Sequence, residues 1–179
     1  MHYSKIKHFD TANGPGIRTS LFVSGCENHC KGCFNPETWN KENGDLFTEE
    51  ILEELLNSID QPYCSGLSLL GGDPLAPYNL DEVKHIVETF RKRFGFSKNI
   101  WMWTGYLFED IIQNKDKWEI VKQVDCLVDG PFILKERDLT LKYKGSSNQR
   151  VIDVQDSQKF DCLCTIQERK RIIDFNEKI

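Results

Sequence analysis

No stretch of the chain approaches the ~20 consecutive apolar residues that a membrane-spanning helix needs, so no membrane partner is expected. Nor does an apolar segment follow the opening Met-His-Tyr-Ser-Lys-Ile-Lys, as a secretory signal would require; a cytoplasmic location is expected. Positive charge is in deficit, with 23 Lys and Arg against 28 Asp and Glu and a net charge of -5. That excludes a broadly basic surface for nonspecific nucleic-acid binding, and no nucleic-acid partner is expected. Internal repeats, low-complexity tracts and obvious linkers are also missing. At 179 residues the chain is long enough for one domain with a real core. It is short of the about 250 residues typical of a closed (β/α)8 barrel. A hydrophobic content of 39% argues against disorder.

An evenly spread, even-numbered set of cysteines is lacking as well. The seven present cannot all pair with one another. Cys26, Cys30 and Cys33 fall within eight residues, Cys64 and Cys126 stand alone, and Cys162 and Cys164 lie together near the end. Secreted scaffolds distribute cysteines to staple the chain, whereas a tight cluster in a reducing compartment reads as metal ligation. The spacing is Cys-x3-Cys-x2-Cys, and soft thiolates favour iron-sulfur clusters or zinc. Cubane electron carriers use four protein thiolates, one per iron. Three would leave one iron without a protein ligand, an open position of the kind that separates catalytic from structural zinc. Gly25 and Gly32 relieve crowding where backbone must wrap such a group. From spacing alone, a structural zinc site or a chance cluster of core cysteines stays open. His29, between two of these cysteines, is expected to face solvent. Cys162 and Cys164 are expected to be incidental thiols, and Cys64 and Cys126 small core or near-surface residues.

Hydrophobic periodicity divides the chain into alternating strands and helices. Residues 17–24 read as a strand ending at Gly25, and 48–59 as a helix capped by Thr48, with Ile51, Leu52, Leu55, Leu56 and Ile59 on one stripe. A strand over 66–70 stops at Gly71-Gly72. A helix from Asn79 buries Val83, Ile86, Val87, Phe90 and Phe94. Residues 99–104 and 124–129 form two further strands, with a helix over 107–122 between them. This spacing implies parallel βαβ units, whose ligands sit beyond the carboxyl ends of the strands. The cysteine loop, Gly71-Gly72-Asp73-Pro74, Thr104-Gly105-Tyr106 and Asp129-Gly130-Pro131 all fall at those ends. The fold expected is α/β with parallel strands, over residues 1–152, followed by a C-terminal extension over 153–179. Two glycines at a strand end permit close backbone approach to a ligand, with an ordinary turn as the alternative. Trp101 and Trp103 share a strand face, which points to packing. Asp129 either contacts a ligand or caps the following turn, and Arg18 is structural or partner-facing.

The run Asn13-Gly14-Pro15-Gly16-Ile17-Arg18-Thr19, followed by Phe22-Val23-Ser24-Gly25-Cys26-x3-Cys30-x-Gly32-Cys33-Phe34-Asn35, resembles the radical S-adenosylmethionine superfamily. Within it, the chain resembles the activating enzymes of anaerobic (class III) ribonucleoside-triphosphate reductases. Leu69–Leu75, Trp101–Tyr106, Leu127–Phe132 and Gly145–Gln149 match further family stretches in order, so the resemblance covers roughly residues 8–152.

The resemblance implies an incomplete, TIM-like βα barrel in which Cys26, Cys30 and Cys33 hold a [4Fe-4S] cluster. It implies that the fourth iron chelates S-adenosyl-L-methionine, and that a reduced cluster cleaves it to methionine and a 5'-deoxyadenosyl radical. That radical would take a hydrogen atom from a backbone glycine of the reductase, leaving a glycyl radical on that partner. The cofactor contacts implied are Gly32, Cys33, Phe34, Gly71, Gly72, Asp73, Asp129 and Asn148. Asp73 is a suitable acceptor for the bound amine. The base stacks on Phe34 or another aromatic, since Gly32 stands where many superfamily members carry an aromatic residue. A flavodoxin or ferredoxin is implied as electron donor. The alternatives are an activase of another glycyl-radical enzyme such as pyruvate formate-lyase, an iron-sulfur electron carrier, and a zinc-stabilised binding module. The ferredoxin-like insert of longer activases, with its eight extra cysteines, is absent.

Overall fold

The computed structural model of the chain describes residues 1–160. Cys162, Cys164 and most of the expected extension lie outside the described residues.

The chain enters as β1 (His2–Asp10) and turns into β2 (Ile17–Val23). After the cysteine loop come the two-residue β3 (Asp45–Leu46), α1 (Glu49–Ile59), β4 (Cys64–Gly71) and α2 (Leu80–Phe94). Then follow β5 (Asn99–Trp103), α3 (Phe108–Gln113), α4 (Lys115–Val121), β6 (Cys126–Asp129), β7 (Arg150–Asp153) and α5 (Val154–Phe160). Among the described residues the strands form one sheet in the order β3-β1-β2-β4-β5-β6-β7. The expected parallel arrangement holds for the four central strands β2, β4, β5 and β6. β1 and β7 flank them antiparallel, so the fold is mixed α/β. No helix of the described residues is long and apolar enough to cross a membrane.

Strand alternation gives the sheet two different faces. Leu21, Val23, Leu67, Leu69, Ile100, Met102 and Leu127 enter the main core, where they meet Leu52, Leu55 and Leu56 of α1 and Val83, Ile86 and Phe90 of α2. The other face carries a smaller cluster of Trp101, Cys126, Val128 and Val151, with Trp103 and Tyr143 packed against it. Trp101 and Trp103 thus pack as their alternation predicts, 5.8 Å apart. The helices lie on the first face, which leaves the second free to carry a site.

Three local expectations change. The single helix over 107–122 is two short helices broken at Asn114, whose side chain accepts from the Lys117 amide at 3.1 Å and caps α4. Asparagine gains more as an N-cap than inside a helix, so it sets the break. Asn79 does precede α2, but its side chain does not cap it. Its Nδ2 donates instead to the carbonyls of Ser24 and Asp73, both at 3.0 Å. β1, β3 and β7 escape the periodicity reading. β1 has several exposed polar residues and two register shifts, β3 is a two-residue edge strand, and β7 is only four residues long.

The turn between β1 and β2 is held by buried Asp10, which accepts from Lys7 Nζ at 2.8 Å, the Ala12 amide at 3.0 Å, and Asn13 and Ser20 side chains at 2.6 Å each. Burial works against the charged carboxylate, but these donors outweigh it and bring its pKa from 3.8 down to about 2. A folded-state value below the unfolded one gives stability that is present above about pH 4 and lost as pH falls toward 2. The expected contribution is about 2 kcal/mol at neutral pH. Urea unfolding at pH 7 and pH 3 measures it. Wild-type protein should lose more stability over that interval than an Asp10→Asn variant, and equal losses would contradict the assignment.

Candidate functional site

The carboxyl ends of β2, β4, β5 and β6 deliver four loops to one rim. They carry Cys26–Cys33, Gly71–Pro74, Thr104–Tyr106 and Gly130–Phe132. These border a cavity of about 640 Å3 on the helix-free face of the sheet, and Cys26, Cys30 and Cys33 all line it. Gly71, Gly72 and Asp73 line it too, together with Thr104, Gly105 and Trp103.

The root of the cysteine loop is clamped by backbone. Gly25, at φ +95°, donates to the Thr38 carbonyl at 2.7 Å. Gly72 donates to Val23 at 2.7 Å, and Asp73 to Gly25 at 2.8 Å. A Cβ on Gly72 would come within 2.4 Å of the Gly25 carbonyl oxygen. Glycine is therefore required where the end of β4 meets the cysteine loop, a reason internal to the chain that strand-end position alone does not disclose.

Asp73 is buried, yet it meets four donors. Oδ1 accepts from the Leu75 amide at 2.9 Å and Thr104 Oγ1 at 2.8 Å, and Oδ2 from the Gly105 amide at 3.0 Å and Asn28 Nδ2 at 3.2 Å. A carboxylate offers about four lone-pair sites, so this one is fully engaged. It ties the cysteine loop to the ends of β4 and β5. Burial pushes its pKa up, although the donors pull the other way. Burial likewise pushes the Cys26 thiol up, and Asp73 adds to that push, while hydrogen bonds from Asn28 and His29 oppose it.

The other expected contacts divide. Phe34 lines the cavity, half exposed, edge-on to Phe132 at 5.3 Å and with the Arg137 guanidinium 5.3 Å from its ring. Gly32, at φ +78°, lies beside Leu134. Asp129 is fully buried. Its carboxylate accepts from the Phe108 amide at the start of α3 at 2.9 Å and pairs with Arg150, so it ties the end of β6 to α3 and β7 rather than capping the turn that follows it. Asn148 donates to the Pro131 carbonyl at 2.8 Å and steadies the loop after β6. His29 is exposed, as expected, and packs on Trp39 at 4.9 Å. Residues the sequence reading passed over also line the cavity: Asn28, Tyr143, Lys144 and Gln149. Asn28 carried a signal in its place inside the cysteine motif, and Gln149 in its place in the stretch Gly145–Gln149.

The donor set is soft: three free thiols line one cavity, the ligand type that iron-sulfur clusters and zinc share, and an iron-sulfur cluster takes one thiolate per iron.

Comparison with known proteins agrees. Residues 12–152 match the family model described as a 4Fe-4S single cluster domain. The chain is 45% identical over 153 residues to the anaerobic ribonucleoside-triphosphate reductase-activating protein of Enterobacteria phage T4, covering 84% of this chain and 93% of that one. The protein of the same name from Escherichia coli strain K12 is 38% identical over 153 residues, 84% of this chain and 97% of its own. That of Vibrio cholerae is 38% identical over 151 residues, 83% and 96% respectively. The chain belongs to the family of anaerobic ribonucleoside-triphosphate reductase-activating proteins.

Proposed function

We propose that this protein installs a glycyl radical in an anaerobic ribonucleoside-triphosphate reductase, using a [4Fe-4S] cluster and S-adenosyl-L-methionine. The observation that carries this reading is one cavity lined by three free cysteines and bordered by the carboxyl ends of four parallel strands. When bound, cluster and S-adenosyl-L-methionine together supply one-electron reductive cleavage to a 5'-deoxyadenosyl radical that abstracts hydrogen.

The chain's own residues position the reactants and exclude water. Cys26, Cys30 and Cys33 hold the cluster with three thiolates, which leaves room for a small ligand. Gly71 and Gly72 present bare backbone at the cavity wall, and Phe34 offers a ring for the base. Asp73, on that wall, and Asp129 and Asn148, behind it, support it through the hydrogen bonds described, and Gly32 and Cys33 complete the loop. Phe22, Leu70, Trp103 and Phe132 make part of the wall apolar, which keeps a reactive species from solvent.

We read the sheet as an incomplete TIM-like barrel, with residues 1–152 as the catalytic domain and 153–179 as a C-terminal extension. Its open side admits a glycine-bearing loop of the reductase. The one-electron donor in this reading is a flavodoxin or ferredoxin, and the location is the cytoplasm, where thiols stay reduced.

The test is anaerobic reconstitution with iron and sulfide, followed by addition of reductant and S-adenosyl-L-methionine. Formation of 5'-deoxyadenosine and methionine is the expected result. A loaded protein that leaves S-adenosyl-L-methionine intact would defeat the proposal.

A further inference from the structure

The cysteine loop places one further side chain at the cavity wall. Asn28 Nδ2 donates to Asp73 Oδ2 at 3.2 Å and to Cys26 Sγ at 3.7 Å. An amide carries two protons, so each acceptor receives one. Gly105 makes the space for it: a Cβ there would lie 2.2 Å from the same nitrogen and 2.7 Å from Asn28 Cγ. The Gly105 amide in turn donates to the Asp73 oxygen that receives Asn28. Thr104 and Leu75 fix the other oxygen. A chain of contacts thus runs from the ends of β4 and β5, through Asp73 and Asn28, to the sulfur of Cys26. Glu27, Asn28 and His29 are all exposed, and of the three only Asn28 lines the cavity.

We infer that Asn28 is a positioning residue that anchors the Cys26 sulfur and raises the reduction potential of the cluster held there; this rests on the iron-sulfur reading above. Reduction adds negative charge to the cluster and its ligand sulfurs. An N–H aimed at one of those sulfurs stabilises the more negative state, and hydrogen bonds to sulfur are among the determinants of cluster potential. The residue acts through Cys26.

The experiment is an anaerobic potentiometric titration of full-length wild type, Asn28→Ala and Gly105→Ala, with the reduced cluster followed by EPR. Both variants should show midpoint potentials about 30 mV lower, a threefold change in the reduced-to-oxidised ratio at 59 mV per tenfold. Asn28→Gln, which keeps a donor, should recover most of the wild-type value. If Asn28→Ala does not load, Gly105→Ala decides, because it leaves every residue of the cysteine loop in place. Loaded variants with the wild-type potential would overturn the inference while leaving the iron-sulfur reading intact. A wild-type protein that holds no cluster would overturn both.

Discussion

Replacing Cys30 by alanine is expected to abolish cluster loading and every activity that depends on it, with the fold left intact. Cys30 is only half-buried and stands on a loop between β2 and β3, so its removal costs no core packing. With two thiolates left, two irons of the cluster lack a protein ligand. Among the described residues the two remaining cysteines, Cys64 and Cys126, do not line the cavity. Iron content, 5'-deoxyadenosine formation and the glycyl signal on the reductase should all fall to background, while far-UV circular dichroism stays as in wild type. The same holds for Cys26→Ala and Cys33→Ala. Wild-type activity in Cys30→Ala would sink the ligand assignment. By contrast, Cys64 and Cys126 are buried at the amino ends of β4 and β6, away from the cavity lining. Cys162→Ala combined with Cys164→Ala is expected to keep activity.

The largest loss of stability is expected from Arg18→Ala. Arg18 is fully buried in β2 without a carboxylate within ion-pair distance among the described residues. Its guanidinium is satisfied by neutral acceptors instead. Nε donates to Ser68 Oγ at 2.7 Å, Nη1 to Asn99 Oδ1 at 2.6 Å and the Pro15 carbonyl at 3.3 Å, and Nη2 to the Leu67 carbonyl at 2.7 Å and the Asn99 carbonyl at 3.3 Å. The charge sits 5.9 Å from the Trp101 ring. Burial lowers its pKa to about 10, which leaves it charged at neutral pH.

Truncation would leave several of these acceptors without a donor and open a void beneath Trp101. Each orphaned buried group costs about 1–3 kcal/mol, and the void adds to that. Partial relaxation and water entry reduce the sum, so a loss of about 3–5 kcal/mol is expected. That is a large part of the roughly 5–15 kcal/mol that holds a domain together. Arg18→Lys should recover less than half, because one ammonium cannot reach acceptors spread around a planar fork. Urea unfolding at neutral pH decides; a loss below 1 kcal/mol in Arg18→Ala would show that the network carries little. The Pro15 contact also links this arginine to the 11–16 turn, whose Ala12 and Asn13 line the cavity. Of the two roles open from sequence, structural and partner-facing, its burial supports the first.

The central strands were legible because a strand buried on both faces reads as a short apolar run ended by glycine, as Gly-Leu-Ser-Leu-Leu does before Gly71-Gly72. The edges were not. β1 mixes Lys5, Lys7 and His8 with Ile6 and Phe9, and pairing with β2 and β3 makes it a strand. The break at Asn114 was hidden because apolar positions on either side keep a plausible helical register across it. In the site, the three cysteines were legible by spacing and type. Asp73 was legible as a strand-end residue, but its four donors were not. They come from Asn28, Leu75, Thr104 and Gly105, and only the fold brings positions 28 and 104 to one carboxylate. Asp129 was likewise legible as a strand end on the right rim, but its partners were not: Arg150 comes from β7, a strand that sequence periodicity did not disclose, and the Phe108 amide from α3.

The most direct measurement is EPR of an anaerobic ribonucleoside-triphosphate reductase after anaerobic incubation with the reconstituted protein, reductant and S-adenosyl-L-methionine. The account predicts a glycyl-radical doublet on the reductase, formed together with 5'-deoxyadenosine and absent when Cys30→Ala replaces wild type. Cleavage of S-adenosyl-L-methionine with no doublet on the reductase, or a doublet raised only on another glycyl-radical enzyme such as pyruvate formate-lyase, would contradict it.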